Sequence, residues 1–511
     1  MTTAVLPAPT ALGGPLPQHV RVAVVGSGFA GLATAIGLKR EGRDDFVLLE
    51  RAGALGGTWR DNSYPGCACD VPSHLYSFSF APNPDWTRSF SPQPEIEAYL
   101  HRTAQEYGVL PHIRYGAELT GAQWDDTEQV WHLQTARGDL DAEVLVLGTG
   151  GLSDPAIPAL PGLETFAGKT FHSATWAHDY DLRGKRVAVI GTGASAIQFV
   201  PAVQPQVAHL TLFQRTAPWV LPRRDRAISR KERTLYQRIP ALQKLARTAI
   251  YWGRESWVLG FSFDQRIMGL AEKQALGFLA KQVEDPVLRA KLTPDFRLGC
   301  KRVLLSNTYF PALAQPNVDV VTEGITEVRQ RGIVTADGSV HEVDAIVFGT
   351  GFRVTDPPVA ERIVGRGGVS LRDHWAAGGM RALHGATTSG FPNLFYLVGP
   401  NTGLGHTSIV FVIETQVAYL LDALRQLDAR GLATLEARPE AEAAYNSRVQ
   451  RRLRKTVWNT GGCSSWYLDK SGRNTTLWPT FTFSFRRQLR RCDLTQYATA
   501  ARRTTKEEVA A

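Results

Sequence analysis

Short apolar runs alternate along the chain with Ala/Leu-rich or amphipathic stretches, the order expected of a parallel α/β protein. The β-branched run Val22–Val25 reads as a strand buried on both faces. It breaks at Gly26-Ser27-Gly28-Phe29-Ala30-Gly31, continues as a helix to about Arg40, and is followed by a second strand, Phe46–Leu49, that ends on Glu50. Helical spacing recurs in 94–108 through Ile96, Leu100 and Tyr107. Short strands are expected around 122–124 and 130–134, and the run Val144–Leu147 leads into Gly148-Thr149-Gly150. Pro155, Pro158 and Pro161 then mark a boundary. A second unit repeats the first: strand 185–190, turn Gly191-Thr192-Gly193-Ala194-Ser195-Ala196, and strand 210–213. From about 225 to 292 basic and aromatic residues alternate at helical spacing, which predicts a helical insertion whose aromatic stripe packs as core. Strand signals resume at 318–321, 345–348 and 394–398, and a long helix is expected from about 408 to 425.

Both strand–turn–helix units carry the glycine pattern that lets a pyrophosphate approach a helix N-terminus. In the first, Gly26, Gly28, Phe29, Ala30 and Gly31 form the turn, and Glu50 stands where an acid accepts hydrogen bonds from a ribose. Gly26 to Glu50 and Gly191 to Arg215 are both 24 positions apart, so a cation occupies the second unit's equivalent place. A guanidinium there suits a 2′-phosphate. The first unit is therefore expected to bind FAD and the second NADPH, through Thr192, Gly193, Ser195, Ala196 and Arg215. After Glu50, Gly56 and Gly57 precede Thr58 and Trp59, residues fit to cover a planar ring; Asp70, on the same loop, is placed to orient a cation. Lys301 and Arg302 lie among apolar residues and call for an anion. His172, between the two units, reads as a hinge or packing histidine.

The expected organisation is an N-terminal arm (1–18), a discontinuous FAD-binding domain (19–155 and 391–511), and an NADPH-binding domain (156–390) that includes the insertion 225–295. The fold class is thus α/β with two Rossmann-like domains. The formal net charge of +9 comes from scattered arginines, which suits an anionic cofactor and argues against nucleic acid as a partner. No apolar stretch reaches spanning length, so a soluble, cytoplasmic protein without stable membrane insertion is expected. The five cysteines have neither a CxxC pair nor zinc spacing, so reduced thiols and no metal site are expected. The missing Cys pair also argues against a disulfide reductase, which shares the tandem cofactor units.

Two motifs, GGxWxxxxYPGxxxD at Gly56–Asp70 and FxGxxxHxxxW at Phe166–Trp176, resemble those of the type I Baeyer–Villiger monooxygenases. Ala177 stands where that family usually has Pro or Asp. The resemblance spans roughly 20–479 and implies FAD and NADPH as cofactors. It places Glu50, Gly57, Thr58, Trp59, Asp70, Tyr76 and Leu119 at FAD, and Thr192, Gly193, Ser195, Gln198, Arg215 and Lys301 at NADP. Arg302 matches the family's active-site arginine and Asp70 the acid that holds it. The implied reaction inserts one atom of O2 beside a small-molecule ketone's carbonyl, through a flavin C4a-peroxide kept anionic by Arg302, to give an ester or lactone. The related enzymes that oxygenate sulfur or nitrogen are the alternative. A monomer or homodimer is expected.

Overall fold

In a computed structural model of the chain, which describes residues 13–502, the first apolar run becomes β1 (His19–Val25). Only residues 13–18 of the expected arm fall among the described residues. β2 (Phe46–Leu49), all of it buried, lies parallel to β1 with Val22 opposite Phe46. β3 (Ile113–Arg114) extends that side of the sheet. On the other side β1 pairs in parallel with β6 (Gly138–Leu147), which continues as an antiparallel meander through β5 (Val130–Thr135) and β4 (Leu119–Asp125). The late strand Leu394–Tyr396 joins β6, so the chain's last third returns to the first sheet. The return starts earlier still. Ile363–Val364 pairs with β4 at the sheet's edge, ahead of the boundary expected at 391.

The second sheet is wholly parallel. Its order is Val318–Val321, β9 (His209–Phe213), β8 (Arg186–Ile190), Ala345–Phe348 and β7 (Lys169–His172). One apolar core runs through both units, taking in Val24 of β1 and Val189 of β8. Two glycines show why the turn sequences cannot vary freely. Gly26 holds φ +96°, and a Cβ on Gly31 would stand 1.7 Å from the Gly26 carbonyl oxygen, so only glycine lets α1 (Phe29–Arg40) seat so closely on β1.

The insertion consists of helices Arg230–Arg238, Pro240–Glu255, Met268–Gln282 and Pro286–Lys291. In the second helix the stripe divides: Tyr251 stacks on Phe411 against the core, whereas Leu245 is 65% exposed and Trp252 55%. The reason lies on the opposite face. Gln243 donates to the Asn83 carbonyl at 2.6 Å, Arg247 to the His74 and Ser77 carbonyls at 2.7 and 3.0 Å, and Arg254 to the Asp70 carbonyl at 3.1 Å. Loop 70–83 presents unpaired backbone acceptors, and polar side chains satisfy them better than apolar ones would. No helix among the described residues is long and apolar enough to cross a membrane.

The cysteine expectation is corrected at one pair. Cys300 and Cys463, 163 positions apart, form a disulfide, while Cys67, Cys69 and Cys492 are free and buried. The fold alone brings the two together, which is why no local spacing announced them. Denaturation without reductant should expose three thiols and with reductant five. Cys463→Ser should lower the unfolding free energy by about 2–4 kcal/mol in a denaturant titration, because so long a loop is no longer closed in the unfolded chain.

Candidate active site

The two units face each other across a cavity of about 1180 Å³. From the first unit Thr58, Trp59, Asp70 and Tyr76 line it; from the second, Thr192, Gly193, Ser195, Gln198 and Arg215; Lys301 and Arg302 complete the wall between them. Residues as far apart in the chain as Tyr76 and Thr192, 116 positions, are thus gathered around one space.

Arg302 sits at the junction. Its Nε donates to Asp70 Oδ2 at 2.9 Å and its Nη2 to Oδ1 at 2.7 Å, a two-pronged contact, while Nη1 donates to the Leu404 carbonyl at 3.2 Å. The side chains of Arg302 and Asp70 remain 28% and 27% exposed, so the pair is open on its cavity side. Burial opposes charge on both, yet each partner outweighs it. Arg302 is held above the usual arginine range by the Asp70 carboxylate, and Asp70 below the usual carboxylate range by the guanidinium. Both stay ionised at neutral pH. Tyr467, fully buried nearby, is pushed up to about 12 by burial, with Arg302 pulling the other way.

The Trp59 indole N–H donates to the Tyr76 hydroxyl at 3.0 Å, which fixes the ring over the loop. Arg215 and Lys301 face the same region of the cavity. Burial, and then the neighbouring Arg215 charge, lower the Lys301 pKa, and its Nζ lies 5.1 Å from the Phe296 ring centre. Two cations, one of them partly desolvated, make this part of the cavity electropositive. Thr192 Oγ1 donates to the Thr216 carbonyl at 3.0 Å and so ties the second turn to the strand end beside Arg215.

Several predicted residues act otherwise than by lining the cavity. Gly26, Gly28 and Gly31 shape the first turn, and Gly57 packs on Gly28, where a Cβ would meet the Gly28 Cα at 3.0 Å. Phe29, Ala30 and Ala196 are buried in the core at their helix starts. Glu50 is 3% exposed, and its carboxylate accepts from the Ser27 amide, the Ser27 hydroxyl, the Ala52 amide and Arg60 Nη1. Leu119 stands away from the cavity: its side chain is buried in a second apolar cluster and its carbonyl accepts from Arg362 Nη1 at 2.6 Å. His172 is 1% exposed, takes the Ala174 amide on Nδ1 at 3.1 Å, and meets Phe352 edge-on; burial lowers its pKa and keeps it neutral. Trp176 packs on Phe171 and Phe199 within the second unit.

The arrangement of a first nucleotide unit, a second one facing it, and a charged pair between them has a counterpart among known families. Residues 19–370 match the model described as "Flavin-binding monooxygenase-like". The chain belongs to this family. Among its relatives, a Baeyer–Villiger monooxygenase of Streptomyces coelicolor is 59% identical over 481 residues, covering 94% of this chain and 92% of the relative. A Baeyer–Villiger monooxygenase of Pseudomonas aeruginosa is 53% identical over 482 residues, 94% of this chain and 91% of its own. A solved cyclohexanone monooxygenase from Rhodococcus sp. Phi1, bound to NADP+, superposes with a TM-score of 0.83 at 30% identity, covering 95% of this chain and all of its own.

Four residues of this flavin-binding monooxygenase make contacts that its sequence does not announce. Leu404 contributes a backbone carbonyl, which side-chain patterns do not reveal. Arg254 and Glu255 belong to the insertion, whose polar face was overlooked in favour of its aromatic one. Gln198 bonds across the hinge: its Nε2 donates to the Ala68 carbonyl at 2.9 Å, and its Oε1 accepts from the Tyr64 hydroxyl at 3.0 Å and the Ala68 amide at 3.3 Å.

Proposed function

We propose that the chain is an NADPH- and FAD-dependent Baeyer–Villiger monooxygenase that converts a small-molecule ketone and O2 into an ester or lactone. The single observation carrying this reading is the Arg302–Asp70 pair, open to a cavity lined by both nucleotide units. When bound, the two cofactors supply the reducing equivalents and the activated oxygen.

This chain's residues fit them. The glycine turn at 26–31 would offer the first amides of α1 to a pyrophosphate, and Glu50 would take a ribose hydroxyl in exchange for one of its present donors. Thr58, Trp59 and Tyr76, which line the cavity, would border the flavin ring; Gly193 and Ser195 would hold the second pyrophosphate, and Lys301 and Arg215 would pair with a 2′-phosphate. Arg302 cannot lose its proton at working pH, so it presents a fixed positive charge where negative charge develops on the ketone oxygen. Asp70 holds the guanidinium plane by its two-pronged contact and leaves the cavity-facing edge to the substrate. The surrounding apolar wall keeps water out and strengthens that charge.

Offering the FAD-loaded enzyme NADPH, O2 and a panel of methyl and cyclic ketones, with products weighed by mass spectrometry, tests the reading. Ester or lactone carrying one atom from 18O2 is expected. Oxygenation confined to a thioether, with every ketone returned unchanged, would replace it with the sulfur- and nitrogen-oxygenating alternative.

A further inference from the structure

The helix Pro240–Glu255 turns a polar face inward; of its last two residues one reaches Asp70, which holds Arg302, and the other His406, two residues beyond Arg302's second anchor, Leu404. Arg254 Nη2 donates to the backbone carbonyl of Asp70 at 3.1 Å. Burial lowers the Arg254 pKa, while the Asp70 carboxylate works in the other direction and Arg302 adds like-charge repulsion; the three groups lie within electrostatic reach of one another. Glu255, 1% exposed, binds in the opposite direction. Its Oε1 lies 3.1 Å from His406 Nε2 and accepts from the Thr482 hydroxyl at 2.7 Å, and its Oε2 accepts from the Thr482 amide at 2.9 Å. One turn back, the Tyr251 hydroxyl reaches the same Thr482 hydroxyl at 3.0 Å.

His406 follows Leu404 by two residues, and the Leu404 carbonyl is the acceptor of Arg302 Nη1. Its imidazole is wholly buried. A small cavity of about 40 Å³ is bordered jointly by Asp70, Arg254, Arg302, Gly405 and His406, so these groups form one cluster behind the guanidinium. Arg302 therefore has two protein anchors, Asp70 and Leu404, and adjacent residues of one helix end fasten both from the rear.

We propose that Arg254 and Glu255 are positioning residues: the first through the Asp70 main chain, the second through His406 and the Leu404 main chain, they aim the Arg302 guanidinium into the cavity. The helical insertion is then part of the oxygen-transfer apparatus. This rests on the role of Arg302 proposed above. A guanidinium held by only one of its anchors can swing, and a misplacement of about 1 Å costs up to about 10²-fold in rate.

The test uses the FAD-loaded enzyme with Arg254→Met, Arg254→Lys, Glu255→Ala, Glu255→Gln and Arg302→Ala. Arg254→Met and Glu255→Ala should cut ester formed per NADPH oxidised about tenfold or more, with anaerobic flavin reduction near the parent rate. Arg254→Lys and Glu255→Gln, each keeping part of the hydrogen bonding, should lose less. Labelling of Arg302 by phenylglyoxal, read by mass spectrometry, should accelerate in Arg254→Met and Glu255→Ala, a readout independent of turnover. Arg254→Met combined with Arg302→Ala should lose no more ester than Arg302→Ala alone, since both act through one group. If Arg302→Ala itself makes ester normally, the underlying mechanism falls. If Arg302→Ala fails while Arg254→Met couples normally and labels at the parent rate, the positioning role alone is overturned. Should Glu255→Ala not fold, Arg254→Met decides, because its buried partner is a main-chain carbonyl.

Discussion

Arg302→Ala should retain measurable oxidation of NADPH and lose ester formation by about 10²–10³-fold, the loss that follows removal of one preorganised charge at a developing oxyanion. The hydride step needs no cation at that point of the cavity, whereas the carbonyl oxygen gains negative charge only during oxygen transfer. The substitution also strands Asp70, whose carboxylate takes both its side-chain donors from Arg302. An unpaired carboxylate in that setting is costly. In the parent protein the guanidinium holds the Asp70 pKa below its unfolded value. That stabilisation is fully present above the ordinary carboxylate range, near pH 4, and is lost as pH falls through the folded value. The difference in unfolding free energy between parent and variant should therefore narrow in acid. Stopped-flow reduction, product mass spectrometry and urea titrations at several pH values read these effects. An ester yield equal to the parent's would remove Arg302 from the mechanism.

Arg215→Glu should reverse the coenzyme preference. The catalytic efficiency with NADPH should fall about 10²-fold, the factor carried by roughly 2.7 kcal/mol, while efficiency with NADH changes little. A carboxylate at 215 would pair with Lys301, whose pKa burial and then the Arg215 charge now depress, and would repel a 2′-phosphate. Both cations proposed to pair with the phosphate would be cancelled by one change. Steady-state kinetics with the two coenzymes check it; an unaltered ratio of efficiencies would move the 2′-phosphate elsewhere.

What could be read from sequence was what is local. The run Val22–Val25, the turn at 26–31 and the acid Glu50 lie within 30 residues, and strand, turn and helix each impose a period or a glycine there. The same holds for β8, its turn and Arg215. Asp70 and Arg302 are 232 positions apart, so nothing in their spacing pairs them; the family motifs did. Leu404 acts through its main chain, and any residue supplies a carbonyl. The edge strand Ile363–Val364 is too short to show alternation, so the chain's return to the first sheet was placed too late. The helix Pro240–Glu255 misled because its inward side mixes Ile250 and Tyr251 with hydrogen-bonding Arg247 and Arg254, while Leu245 and Trp252 face outward. Cys300 and Cys463 meet only after both units and the tail have packed.

Gln198 gives the hinge an unusual fastening. One amide group carries three hydrogen bonds between the helix Ala196–Val203 of the second unit and the loop carrying Tyr64 and Ala68 of the first. Pivoting the halves by a few degrees stretches all three at once, since they converge on a single planar head. Such a joint resists small displacements of one unit against the other, because its three bonds oppose them together.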